Sequence, residues 1–105
     1  MATVYSKSFV QYEGLDGTET VEPLAGYIDI IRDVDVYANN TGVSPIHFRL
    51  IGQSGQTIWL FQVDPDTNAS GHWTGRQVMD AGVAWSVETD APMDVSVSGY
   101  QLSLP

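Results

Sequence analysis

The residues Met93-Asp-Val-Ser-Val-Ser-Gly-Tyr-Gln-Leu-Ser-Leu-Pro105 alternate apolar and polar side chains to the last position of the sequence. Met93, Val95 and Val97 place the apolar groups on odd numbers; Tyr100, Leu102 and Leu104 place them on even numbers. A period of two is a strand, and a change of parity at a glycine marks a β-bulge, expected here near Gly99. The segment is expected to lie in a sheet, with Pro105 stopping it from recruiting another strand. No stretch carries a helical period, so the expected class is all-β.

Turn chemistry divides the remainder into short strands. The expected strands are Thr3–Val10, Glu19–Leu24, Tyr27–Ala38, Ser44–Ile51, Gln56–Val63, His72–Val78, Val83–Val87 and Met93–Pro105. Between them lie Gly14-Leu-Asp-Gly17, Ala25-Gly26, Asn39-Asn-Thr-Gly42, Gly52-Gln-Ser-Gly55, Asp64 to Gly71, Asp80-Ala-Gly82 and Asp90-Ala-Pro92, all rich in residues that accept turn conformations. About eight strands at such spacing predict a compact antiparallel β-sandwich, jelly-roll-like, forming a single domain over residues 1–105. In the long third strand Ile28, Ile30, Val34 and Val36 share a face that Arg32 interrupts. A guanidinium there needs a carboxylate, with Asp33 or Asp35 of a neighbouring subunit, Glu88 and Asp94 as candidates.

One strand departs from the rule that an antiparallel sheet has a wet face. In Thr57–Val63, Ile58 and Leu60 occupy one side while Trp59, Phe61 and Val63 occupy the other. Ile46, Phe48 and Leu50 of the neighbouring strand can line the core, leaving Arg49 on the far side. Arg49, Trp59, Phe61 and Arg32 are therefore the candidate interface residues, since aromatic side chains and arginine are enriched in interface centres.

Composition excludes several functions. There is no cysteine, and the 13 acidic residues face 4 basic ones, a formal charge of −9. Disulfide and thiolate-metal chemistry are unavailable, and a nucleic-acid partner is disfavoured by charge. No apolar run has membrane-spanning length, and the first residues lack a signal-peptide core, so no membrane partner is expected. His47 and His72 stand in no familiar catalytic motif, and no glycine-rich loop joins a strand to a helix, so neither an enzyme nor a cofactor is expected. Asp64-Pro-Asp66-Thr-Asn68 opens like a calcium loop but has Ala69 where glycine is needed and Gly75 in place of the bidentate glutamate. No metal is expected: the segment is the one incomplete candidate, and it reads as an ordinary acidic turn held by Asx-type hydrogen bonds. Trp59, Trp73, Trp85, Tyr12, Tyr27 and Tyr37, beside abundant carboxylates and amides, could form a sugar platform if they face solvent.

Four segments carry a family resemblance: Met1-Ala-Thr-Val-Tyr-Ser-Lys7; Ala25-Gly-Tyr27 with Ile31-Arg-Asp-Val-Asp-Val-Tyr37; Trp73-Thr-Gly-Arg-Gln-Val78 with Ala81-Gly82; and Ser98-Gly-Tyr-Gln-Leu-Ser-Leu-Pro105. Together they resemble small virion proteins of tailed bacteriophages that infect actinobacteria, of the minor tail or capsid-decorating kind. Asp29 departs from that pattern, which suggests an uncharged residue there. The resemblance implies a non-enzymatic structural protein of the virion that self-associates as a symmetric oligomer, a homotrimer, and contacts other virion proteins. The alternative is a carbohydrate- or receptor-binding module whose partner is a host-surface glycan.

Overall fold

The computed structural model describes residues 4–104. The expectations placed on Met1 to Thr3 and on Pro105 lie outside the described residues. Six strands account for most of the chain: β1 (Val4–Val21), β2 (Tyr27–Asn40), β3 (Ile46–Ile51), β4 (Thr57–Val63), β5 (Thr67–Met79) and β6 (Trp85–Ser103). The all-β expectation holds, and the count is six instead of eight.

Two expected turns are bends within strands. Gly14 (φ 71°) and Gly17 (φ 126°) take conformations that disfavour side chains, and β1 slips register around Leu15 while continuing along β6. β6 likewise runs on through Asp90-Ala-Pro92. Thr89 fastens the two bends together: its hydroxyl donates to the Leu15 carbonyl at 2.6 Å and accepts the Gly17 N–H at 3.2 Å. The expected loop from Asp64 to Gly71 shrinks to three residues, with Asp66 at φ 58°.

All pairing is antiparallel, within one sheet whose path is β4-β3-β6-β2-β5, with β1 added along β6. The long strands β1 and β6 run through two half-sheets. In one, residues 4–12 of β1 and 93–103 of β6 lie beside β2 and β5; in the other, residues 15–21 and 85–89 lie beside β3 and β4. The halves pack together because each has one apolar side to remove from water. Trp85, Val87, Met93, Val95 and Val97 point inward from β6, against Val34 and Val36 of β2 and Phe48, Leu50 and Val63 of the other half. Asn40 ties the halves at one end, donating to the carbonyls of Val63 at 3.1 Å and Ser44 at 2.8 Å. The free sides of β4 and β5 meet where the Phe61 ring covers Gly71; a Cβ on that glycine would lie 2.7 Å from the ring. The sheet thus nearly closes into a barrel.

The bulge expected within the last strand is not there; the extra residues lie in the strands paired with Gly99. β2 pairs Ile31 with Gly99 and Asp33 with Ser98, so Arg32 is the extra residue; β1 pairs Ser8 with Ser98 and Val10 with Val97, so Phe9 is extra. β6 keeps its odd-numbered residues inward from Trp85 to Gln101. Glycine is required at 99 because a Cβ there would stand 1.9 Å from the Ile30 carbonyl oxygen. The bulge reverses the parity of β2. Asp29 and Ile31 are buried before it, and Val34, Val36, Ala38 and Asn40 after it.

Two expectations are corrected by this geometry. Arg32 does not interrupt an apolar face. A bulged residue has no ladder partner, and Arg32 is exposed with its guanidinium 6.0 Å from the centre of the Tyr100 ring. Among the described residues it forms no ion pair, and Glu88 bonds Arg49 at 3.3 Å instead. The second concerns β4, where Trp59 and Phe61 pair with Leu50 and Phe48 and pack against the core. Trp59 stacks on Phe61 at 5.7 Å and meets Phe48 at 5.6 Å. Arg49 is opposite the exposed Leu60, on the other face. The candidate interface residues do not share a surface.

Candidate binding groove

Because the Arg32 bulge turns Asp33, Asp35 and Tyr37 outward, the outer face of the first half-sheet is built in cross-strand rows. One row runs Gln11, Ser96, Asp35, His72 across β1, β6, β2 and β5; the row beside it runs Ser8, Ser98, Asp33, Thr74. On the other side lie Asp94, Tyr37 and Ser70. Ser70, Gly71 and Ser96 keep the floor low, while Tyr37, nearly half exposed, stands above it; Tyr12, opposite Val95 in the ladder, borders one end. The result is an open groove of about 440 Å³ bounded also by Glu13 and Asp94. A second depression of about 390 Å³ continues along the sheet past Ser8 and Ser98 to Arg32 and Tyr100.

His72 organises the floor. Its Nδ1 lies 2.6 Å from Asp35 Oδ1, and its Nε2 meets the Thr74 hydroxyl, with Asp33 Oδ1 at 3.6 Å. Thr74 Oγ1 is also 3.4 Å from Asp33. The order Thr74, His72, Asp35 is that of a nucleophile, its base and the carboxylate orienting the base. Asp33 gives the same atoms a second arrangement: a protonated His72 donates from both nitrogens and the Thr74 hydroxyl turns to Asp33. At the groove wall, Asp94 Oδ1 accepts the Gly14 N–H at 3.0 Å.

On the other half-sheet His47 is paired differently. Its backbone N–H and its Nδ1 meet the two oxygens of Asp90 at 2.6 and 2.9 Å, and its Nε2 meets Gln62 at 3.1 Å. Partial burial pushes the Asp90 carboxyl up, but the two His47 contacts outweigh it and leave it below the usual carboxylate range. Asp64 accepts from Gln62 at 2.8 Å, and Asn68 is a strand residue opposite Asn39. Among the described residues no three histidine or carboxylate side chains are arranged to hold a metal ion.

Among the described residues the inside holds one charge-bearing group. Asp29 is 1 % exposed; Trp85 Nε1 donates to its Oδ2 at 3.3 Å, while Oδ1 and the amide nitrogen of facing Gln101 have no partner. Burial pushes the Asp29 carboxyl above its ordinary value, opposed by the Trp85 bond.

Of the six aromatic residues proposed as a sugar platform, all three tryptophans face the core, Tyr12 and Tyr37 border the groove, and Tyr27 lies away from it with its ring 6.5 Å from that of Tyr5. Sequence reading missed His72 and Asp35 as a pair, because they are 37 positions apart and meet only through the β2–β5 register. The signal that could have found them is the polar, outward period of Asp33-Val-Asp-Val-Tyr37 against Ser70-Gly-His-Trp-Thr74.

No family model and no curated protein sequence matches the chain. Solved structures are similar at low identity. A chain from the work titled "Bacillus endospore appendages form a novel family of disulfide-linked pili" shares 11 % identity at a TM-score of 0.46, covering 100 % of this chain and 92 % of that one. A chain of the infectious bursal disease virus Gx strain shares 13 % identity at a TM-score of 0.43, covering 98 % of this chain and 32 % of that one. The VP2 subviral particle of infectious bursal disease virus gives 13 % identity and a TM-score of 0.39, again with 98 % and 32 % coverage. The chain spans about a third of the length of the virus chains it is similar to.

Proposed function

We propose that the chain is a non-enzymatic structural protein of a tailed-bacteriophage virion, a minor tail or capsid-decorating protein that self-associates as a homotrimer and contacts other virion proteins. The observation that carries this reading is β1. It is 18 residues long and, among the described residues, is hydrogen-bonded along one side only, to β6. An uncovered edge of that length is a template for strand addition from another chain. Beside it, Val4, Leu102 and Ile28 form one apolar row of the outer face, and the exposed Tyr100 and Val78, on either side of buried Ile30, extend it. Main-chain pairing next to apolar area is the composition of an assembly surface. The Phe9 bulge and the glycine bends interrupt the edge, which limits indiscriminate pairing, and the −9 charge keeps free copies apart.

The test is to purify particles, identify the chain by mass spectrometry and locate it by electron cryomicroscopy, with light scattering giving the oligomer number. Leu102→Asp is expected to weaken assembly while leaving the β circular-dichroism spectrum intact. Absence from the particle, together with a monomer at micromolar concentration, overturns the reading.

The second reading is a receptor-binding module for a host-surface glycan, favoured by the groove beside Tyr37. The two readings are compatible in one molecule, since the groove and the Val4–Leu102–Ile28 row occupy different parts of the sheet.

A further inference from the structure

We infer that the groove is a subsite for an uncharged oligosaccharide, lying across the His72–Asp35–Ser96–Gln11 row with a sugar ring against Tyr37. The inference rests on the receptor-binding reading and deepens it by naming the ligand class and its orientation.

Three features select this ligand. The first is charge. Glu13, Asp35 and Asp94 line the groove and no lysine or arginine does, so sugars bearing carboxylate, sulfate or phosphate are repelled. The second is the mixture of hydrogen-bonding groups. A hydroxyl-rich ligand donates and accepts at every position, and the floor offers groups that do both: Ser70, Ser96, Gln11 and His72. A lysine or arginine side chain would use acceptors alone. The acceptors are also partly committed, Asp35 to His72 and Asp94 to the Gly14 N–H, which suits them to directional bonds with hydroxyls more than to neutralising a cation. The third is the aromatic wall. Tyr37 is exposed in the outward row with Asp94 and Ser70 while all three tryptophans pack on or in the core, and a flat ring beside a polar floor matches the apolar face and hydroxyl rim of a pyranose.

The length of the site follows from strand geometry. Asp94 and Tyr100 are six positions apart on β6, about 20 Å at a strand's rise. Ser98 and Ser8 bridge that interval, so the site accommodates several sugar units from Tyr37 toward Tyr100, where Lys7 and Arg32 line the far end. An oligosaccharide is therefore held better than a monosaccharide.

The experiment titrates the full chain, by two-dimensional amide NMR, with maltotriose, cellotriose and mannotriose. Trigalacturonic acid and trilysine serve as charged controls. Binding of at least one neutral trisaccharide, with shifts at Ser70, His72, Asp94 and Ser96, is expected; Tyr37→Ala and Asp35→Asn should each weaken it tenfold or more. Leu60→Ala, on the other half-sheet, should leave it unchanged. Binding of trilysine or trigalacturonic acid alone overturns the inference. Sedimentation with purified host envelopes separates this inference from the reading beneath it. Envelope binding that survives Tyr37→Ala and Asp35→Asn overturns the groove assignment and leaves receptor binding standing. No envelope binding and no trisaccharide binding overturns both. Hydrolysis of a bound trisaccharide, or of an ester probe through Thr74, overturns the non-enzymatic role.

Discussion

Asp29 and Asp35 sit on one strand, six positions apart, and a regular strand would put both on the same side. They end on opposite faces. Asp29 lies under Trp85 with one carboxylate oxygen unpartnered, whereas Asp35 stands in solvent with a histidine at 2.6 Å. The cause is the single extra residue at Arg32. The same residue type is costly in one place and useful in the other, and backbone register decides which. Proteins rarely bury a carboxylate without satisfying it. Here the unsatisfied group accompanies the bulge that creates the groove. Asp29 stays inward so that Asp33, Asp35 and Tyr37 can face outward.

The severest way to break the comparison is at the bulge. Gly99→Ala places a methyl carbon against the Ile30 carbonyl, where 1.9 Å is available. The neighbour is backbone, with no rotamer to yield, so the variant should lose about 3 kcal/mol in urea unfolding. Groove ligation should weaken with it, because Asp33 and Asp35 depend on the same register. A variant as stable as the parent would mean that β2 does not cross β6 so closely.

Next in size is the buried carboxyl. Asp29→Asn removes the charge and keeps the shape, and the amide can face that of Gln101. It should stabilise the protein by about 1–2 kcal/mol at neutral pH. The pH dependence gives the sign. The folded value is raised, so the folded state holds its proton more tightly than the unfolded chain. The stability this contributes is full below the ordinary value of 3.8 and is lost as pH rises through the folded value. Asp90 works oppositely: its folded value is lowered, so its contribution is present above 3.8 and lost as pH falls through the folded value. In Asp29→Asn the acid-side gain should vanish and the Asp90 loss remain, measured as unfolding midpoints between pH 2 and 8, a range about the ordinary carboxylate values. An unchanged profile would show that Asp29 is not the proton-binding group.

Legibility in the sequence follows the range of the interactions. Turns closed by neighbours were readable: Gly52 and Gln56 join β3 to β4, and Leu24 and Tyr27 start β2, each by a short backbone bond. Gly14, Gly17 and Pro92 carry the same local signal but mark bends, and only pairing with a partner strand distinguishes a bend from a turn. The parity change at Gly99 was visible, yet its placement was not. The alternation of one strand cannot tell an extra residue of its own from extra residues in the strands beside it. The Trp59–Phe61 surface shows a related limit. An apolar pattern on both faces shows that burial is needed and leaves open whether the cover is a partner or the chain's own second layer. For the groove, Tyr12 and Tyr37 were legible as candidate platform residues, while the His72 network depended on a register that no local pattern encodes.

The smallest expected effect sharpens the other side of the comparison. His72 and Asp35 are both more than half exposed, so their attraction is screened by water and opposed by the entropy of fixing two side chains. His72→Ala should change stability by less than about 0.5 kcal/mol. A double-mutant cycle with Asp35→Ala should give a coupling below about 1 kcal/mol, weaker still at high salt. Thr74 and Asp33 keep the rest of the row in place, so the loss should appear in saccharide binding and not in the unfolding midpoint. A coupling well above 1 kcal/mol would mean that the pair is shielded in the protein as it exists in solution, as it would be if a second copy covered the groove. That outcome would turn the groove from a ligand site into part of the assembly surface, and light scattering on the same variants would show it as a change in oligomer mass.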